Sequence, residues 1–201
     1  MFCKNCGNAL EAGSKFCAKC GENTGPLELQ YYGVSTKRLV FMSLLTLGLY
    51  HFYWFYQNWK IVRNTERTYI MPFWRSVFLI FFCYPLFKRI TDQADRHGYK
   101  SHSPVILALL YISILLFSGE VDYSVGVVLL DVLIEIILFL ISILPLALIQ
   151  QAVNFNNSKI NPVFTTARKL SYGEIVLIVM GVLMTGGFVL LRLQSAGVNI
   201  F

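Results

Sequence analysis

Residues 39–57 carry no formal charge, and four more apolar runs follow at 76–87, 104–118, 124–149 and 175–191. The first of these is long enough to cover a bilayer core at about 1.5 Å per helical residue. Composition agrees: hydrophobic residues make up 56% and charged residues 14% of the 201-residue chain, where ordinary soluble domains carry about 25% charged residues. Too little polar surface remains to cover a water-soluble enzyme, and the chain is far too apolar to be disordered. The expected solvent for most of it is lipid.

The runs are unequal. Residues 39–57 are interrupted by Thr46 and Gly48, and their second half is dense in aromatics, of which Tyr50, Tyr53 and Trp54 read as anchors at the lipid–water interface. Residues 76–87 are short, with Pro85 near their end, and span only if their flanks snorkel. The run at 124–149 is the longest; it stops near Pro145 and Gln150, and an Asn-rich loop is expected at 154–162. The last run is closed by Arg192.

The net charge of +6 is read first as topology, since basic loops stay on the cytoplasmic side. No Lys or Arg lies between Lys100 and Lys159, so the turn at 119–123, with Glu120 and Asp122, is the candidate non-cytoplasmic loop. That places 88–103 and 150–173 in the cytosol. The segment 58–75 carries Lys60, Arg63, Arg67 and Arg75, and its pattern suits a helix lying on the membrane surface. If both early runs cross fully, which is the default expectation, 58–75 lies outside, against the positive-inside rule. If they dip in and return, it stays inside.

Four of the five cysteines lie in the first twenty residues, as Cys3, Cys6, Cys17 and Cys20. Each C-x-x-C pair is followed by a glycine, Gly7 or Gly21. A two-residue spacer turns both thiolates toward one ion, and glycine accepts the backbone angles of that turn. Two such knuckles supply the four sulfurs of a structural Zn2+ site, with no position left for catalytic water. Disulfides suit an exported domain, but no cleavable signal peptide precedes the cluster, and a redox motif would sit once in a βαβ setting. So small a segment, with Phe2, Leu10 and Phe16 as its expected core, depends on the metal to fold. Cys83, in a run of Phe and Ile, reads as a buried apolar side chain.

On these four cysteines and two glycines, residues 1–25 resemble the bacterial zinc ribbon of the short double-knuckle type. That resemblance implies an adaptor or interaction role more often than catalysis. The early membrane segment, about residues 37–65, resembles a recurring bacterial multi-pass membrane domain marked by Thr-x-Gly-x-Tyr-x-x-Tyr-Trp, here Thr46, Gly48, Tyr50, Tyr53 and Trp54. The second copy often seen in that family lacks its core motif here. The resemblances imply a bacterial inner membrane location, and reduced thiols put the ribbon in the cytoplasm.

Asp131 and Glu135 sit four apart, on one face of the longest apolar helix. Acids inside a span face a protein interior or water, so the pair reads either as a cation or proton site or as a structural pair near the interface. Arg75 and Lys88 are the nearest candidate partners. His51, His97 and His102 form no ligand cluster, and Asp92, Asp95 and His97 read as a solvated helix face. Gly181, Gly186 and Gly187 permit close helix approach, within the chain or in a homo-oligomer. Lys4, Lys15 and Lys19 against Glu11 and Glu22 make a poor patch for nucleic acid. No phosphate loop, Ser/His/Asp arrangement or dinucleotide fingerprint is present, so no enzyme is indicated.

The expected architecture is an all-α polytopic membrane protein of four or five hydrophobic segments, some re-entrant or interfacial, behind an N-terminal zinc ribbon. Its expected parts are the ribbon at 1–25 with one structural Zn2+, a linker at 26–36 and a transmembrane domain at 37–201. The expected partners are the lipid bilayer and a cytosolic protein recruited by the ribbon. The alternative function is a small transport or channel component built on Asp131 and Glu135.

Overall fold

A computed structural model describes residues 2–3, 5–9, 17–21, 28–117, 128–167 and 169–195, without the side chains of 117, 128–133, 135 and 188–195. Among the described residues the chain is all-helical, with seven helices and no strand beyond a single bridge between Phe2 and Ala9.

Helix α1 (Thr36–Leu45) begins at Ser35, whose side chain accepts the Arg38 N–H at 3.2 Å. It satisfies one of the donors that a helix N-terminus leaves free. The apolar run at 39–57 does not continue as one helix. Leu47 and Gly48 have φ of 48° and 85°, and this left-handed pair turns the chain before α2 (Leu49–Glu66). The Thr46 hydroxyl holds the corner from both sides, donating to the Met42 carbonyl at 2.8 Å and accepting the Tyr50 N–H at 3.0 Å. The stretch 58–75, expected as one surface helix, is instead divided among the end of α2, a non-helical segment and the short α3 (Pro72–Val77). Proline opens α3, where its missing N–H costs nothing.

Phe78 separates α3 from α4 (Leu79–Arg96), which runs through Pro85 and joins the apolar run at 76–87 to the polar stretch behind it. Its buried residues Leu79, Cys83, Leu86, Phe87, Ile90 and Ala94 recur at helical spacing, giving one inward stripe. Helices α5 (Pro104–Phe117), α6 (Val128–Ile160) and α7 (Tyr172–Ser195) complete the chain. Helix α6 packs against α1, α4 and α5, while α2 packs against α1, α3, α4 and α7. Trp54, Phe55, Trp59, Phe87 and Tyr111 are fully buried between them.

Among the described residues one helix, Ile136–Ile160, is long and apolar enough to cross a membrane, with mean hydropathy 2.4 over its apolar stretch. The apolar helices Pro104–Leu116 and Tyr172–Gly187 are shorter. The Asn-rich stretch expected as a loop is helical up to Ile160.

The reason lies in residues 28–35, expected as part of a linker. They run extended across the helices with Leu29, Tyr31, Tyr32 and Val34 buried. Buried backbone polar groups need partners, and an extended segment outside a sheet has none of its own. Side-chain amides supply them. The Leu29 N–H donates to Gln93 Oε1 at 3.2 Å, and the Leu29 carbonyl accepts from Gln93 Nε2 and Asn156 Nδ2, both at 3.1 Å. Asn157 Nδ2 donates to the Tyr31 carbonyl at 2.7 Å. The Tyr32 N–H donates to Asn58 Oδ1 at 3.1 Å, and its carbonyl accepts from Gln150 Nε2 at 3.3 Å. Asn154 Nδ2 reaches the Val34 carbonyl at 2.9 Å. Helical continuation through 150–160 is what aims four of these amides at one strap.

A second knot ties the strap to α7. Glu174, with no solvent exposure, accepts from Arg38 Nη2 at 2.9 Å, from Tyr32 Oη at 3.3 Å and from Tyr50 Oη at 3.2 Å. It also accepts the Ser171 N–H at 2.8 Å, while the Ser171 hydroxyl accepts the Glu174 N–H at 3.3 Å. This reciprocal pair is a capping box that starts α7.

Two outcomes follow for unfolding in detergent micelles. Gln93→Leu leaves the buried Leu29 N–H without its partner and is expected to destabilise the chain by about 1–3 kcal/mol, whereas exposed Gln151→Leu leaves stability unchanged. Glu174→Ala strips one carboxylate from α1, α2, α7 and the strap together, with an expected loss of about 3 kcal/mol.

Candidate metal centre

The two knuckles have matching geometry. In each, the glycine after the second cysteine has positive φ, 69° at Gly7 and 71° at Gly21. Its N–H returns to the carbonyl of the first cysteine: Gly7 to Cys3 at 2.9 Å, Gly21 to Cys17 at 2.8 Å. A side chain at either glycine would be strained at that φ. The Cys3 N–H donates to the Asn8 carbonyl at 2.8 Å, and the Phe2–Ala9 bridge closes the first knuckle.

These turns bring four sulfurs from two sequence positions to one point. The Sγ atoms all lie within 4.8 Å of one another, with Cys3–Cys20 and Cys6–Cys17 both at 3.6 Å. A tetrahedral zinc with bonds of about 2.3 Å has sulfur–sulfur edges of about 3.8 Å. The cluster therefore fits one Zn2+ with all four positions filled by protein, and is consistent with an N-terminal zinc ribbon. All four thiols are free of disulfides.

The sulfurs also perturb one another. The Lys19 and Cys20 backbone N–H groups hold the Cys17 thiol down from 9.0 to about 6. At Cys6 the Asn8 backbone contact acts downward but is outweighed by the Cys20, Cys17 and Cys3 thiols and by desolvation, which together push it up to about 12. Four thiolates at this spacing need a cation between them. Phe2, expected in the ribbon core, is 75% exposed; Leu10 and Phe16 lie outside the described residues.

The remaining sequence candidates are placed as follows. Asp131 and Glu135 belong to the backbone of α6, but their side chains lie outside the described residues. Arg75, a candidate partner for them, stacks its guanidinium 4.4 Å over Trp59 and 5.0 Å from the Phe82 ring. Lys88, the other, is exposed. His51 is not at an interface: it is buried, with Nδ1 at 3.1 Å from the Tyr111 hydroxyl and Nε2 at 3.1 Å from Ser43 Oγ. Tyr50 and Trp54 are likewise core residues, not surface anchors. Tyr50 bonds Glu174, and the Trp54 indole N–H donates to Gln150 at 2.5 Å. His97 bonds Asn156 at 2.8 Å and Asp95 accepts the Ser101 N–H at 3.1 Å, while Asp92 is exposed. Among the described residues the cysteines form the one group with metal-holding geometry. Gly181 makes a close helix approach, since a Cβ there would lie 2.6 Å from the Leu45 carbonyl; Gly186 and Gly187 face open space.

The amide cradle and the Glu174 knot were missed from the sequence. The signals were present: Ser171 and Glu174 have capping-box spacing, and the six amides of the cradle, Asn58, Gln93, Gln150, Asn154, Asn156 and Asn157, sit in or beside apolar runs. Comparison with family models, with curated proteins and with solved structures gave no match.

Protein purified from zinc-supplemented cells is expected to hold one zinc per chain by elemental analysis. Cys3→Ser or Cys20→Ser should remove most of it. Because protons compete with metal for thiolates, zinc content should fall as the pH is lowered and stay full on the alkaline side.

Proposed function

We propose that this protein is a membrane-anchored adaptor: a polytopic helical domain holds a zinc ribbon at the cytosolic face of a bacterial inner membrane, and the ribbon recruits a protein partner. The carrying observation is the closed four-cysteine cluster, which fits a metal with structural and not catalytic duties. The continuation of the chain supports the reading. The strap behind the ribbon is clamped by amides from α2, α4 and α6, so that a partner held by the ribbon is held close to the helical domain. The exposed Phe2 ring gives the ribbon an apolar contact beside its metal.

Photo-crosslinking in cells, with the reactive group placed at Asn5, tests this. A discrete adduct is expected with the full chain. It should be lost in Cys3→Ser, which lacks the metal, and in Phe2→Ser, which keeps the metal but lacks the ring. It should persist in Asp131→Asn with Glu135→Gln. An adduct that ignores both ribbon changes, or that disappears only when the acids are neutralised, would overturn the adaptor reading.

A further inference from the structure

Helix α7 is a ruler for depth. It starts at the Glu174 knot and rises about 1.5 Å per residue, so its 24 residues cover about 36 Å. The α1–α2 corner meets it at Gly181, where the Leu45 carbonyl and Thr46 Cα lie within 2.7 Å of the position a Cβ would take. Gly181 is about 14 Å from the start of α7, less than halfway along it. Helix α6 gives the same answer from the other side. A Cβ at Gly48 would lie 3.4 Å from the ring of Phe139, a residue about 16 Å along α6 from Gln150, where the apolar layer of a bilayer is about 30 Å thick.

The second corner ends at the same depth. Val77 and Ile80, either side of the Phe78 break, line a cavity of about 410 Å3 together with Leu47, Gly48, Leu115 and Phe139. Helices α2 and α4 both then run back to the strap end. Asn58 of α2 and Gln93 of α4 bond the same strap, and Glu66 at the end of α2 pairs with Arg89 of α4.

Backbone that turns inside hydrocarbon must satisfy its own polar groups, and six N–H groups at these corners are so satisfied. The Thr46, Leu47, Gly48 and Leu49 N–H groups donate to the carbonyls of Met42, Leu44, Ser43 and Thr46 at 2.9–3.3 Å. At the second corner the Phe78 N–H donates to Trp74 and the Phe81 N–H to Phe78, at 2.9 and 3.1 Å. Around them, Phe41, Leu44, Phe52, Phe73, Trp74 and Phe81 are exposed. Basic side chains at the strap end of the same hairpins, Lys37, Arg63, Arg67, Lys88 and Arg89, are exposed as well. Among the described residues that is an apolar band with a cationic rim at the strap end, complementary to the acyl chains and anionic headgroups of a single leaflet.

We infer that α1–α2 and α3–α4 are two half-depth hairpins seated in the ribbon-side leaflet, entering and leaving from the same face, with acyl chains of that leaflet covering the exposed aromatic band. This rests on the membrane-anchored reading and refines it. It replaces the expectation that both early runs cross fully, and it returns the basic segment 58–75 to the ribbon side.

The test uses the full chain with Cys83→Ala as parent, in sealed right-side-out membrane vesicles. A membrane-impermeant maleimide is applied before and after permeabilisation to Thr68→Cys, Ser101→Cys, Ser195→Cys, Leu47→Cys and Phe78→Cys, each read against the parent. Thr68→Cys and Ser101→Cys are expected to react only after opening, Ser195→Cys before it, and Leu47→Cys and Phe78→Cys in neither state. The inference is overturned if Thr68→Cys reacts in sealed vesicles, if Leu47→Cys or Phe78→Cys reacts from either side, or if Ser195→Cys shares a side with Ser101→Cys. If the parent chain washes off the vesicles in alkaline carbonate, membrane anchoring itself fails. Retention together with a Thr68 signal in sealed vesicles would sink the half-depth hairpins and leave the anchor standing.

Discussion

The Glu174 carboxylate is the contact on which the rest of this structure leans. A carboxylate without solvent is costly unless charge and hydrogen bonds surround it, and here the surroundings come from four separate pieces of chain. Arg38 brings α1, Tyr50 brings α2, Tyr32 brings the strap and Ser171 starts α7. Arg38, Tyr50 and Tyr32 reach the carboxylate from distant parts of the chain, so one acid ties α1, α2 and the strap to the start of α7. The apolar core alone would not do this, because hydrophobic burial has no direction. With the α7 start fixed, Gly181 lies against the α1–α2 corner, and its missing side chain lets the two backbones approach.

The strap poses a second constraint of the same kind. An extended, buried backbone outside a sheet must borrow its partners. The lenders are all amides, which donate and accept from one side chain. Gln93 uses both functions on Leu29, and Gln150 accepts from Trp54 while donating to Tyr32. Polar residues in the helices are therefore not spare surface: Asn58, Gln93, Gln150, Asn156 and Asn157 are all buried.

How far the sequence could be read depended on how local each signal was. The cysteine cluster was legible because its chemistry is contained in two short turns of fixed spacing, and the sulfurs meet as the spacing requires. The all-helical class was legible from charge-free runs. The corner at 46–48 was not, since Thr46, Leu47 and Gly48 sit inside an unbroken apolar stretch and a positive φ at leucine leaves no trace in composition. The Asn-rich end of α6 reads as a loop because asparagine is a poor helix former. It stays helical because its amides are used by a segment more than a hundred residues earlier. Long-range partnerships of this sort, like the Tyr111 hydroxyl on His51, belong to the fold and not to any window of sequence.

The strap is also the path by which mechanical load on the ribbon reaches the helices. Tension from the N-terminal side arrives first at Leu29, then at Tyr31, Tyr32 and Val34, each gripped by its own amides. The grip at Leu29, held by Gln93 and Asn156, stands first in line, and the load reaches the Glu174 knot at Tyr32, whose hydroxyl bonds the carboxylate. A tug on the ribbon would therefore lengthen its tether only as far as Tyr32 before it loads the helices through Glu174.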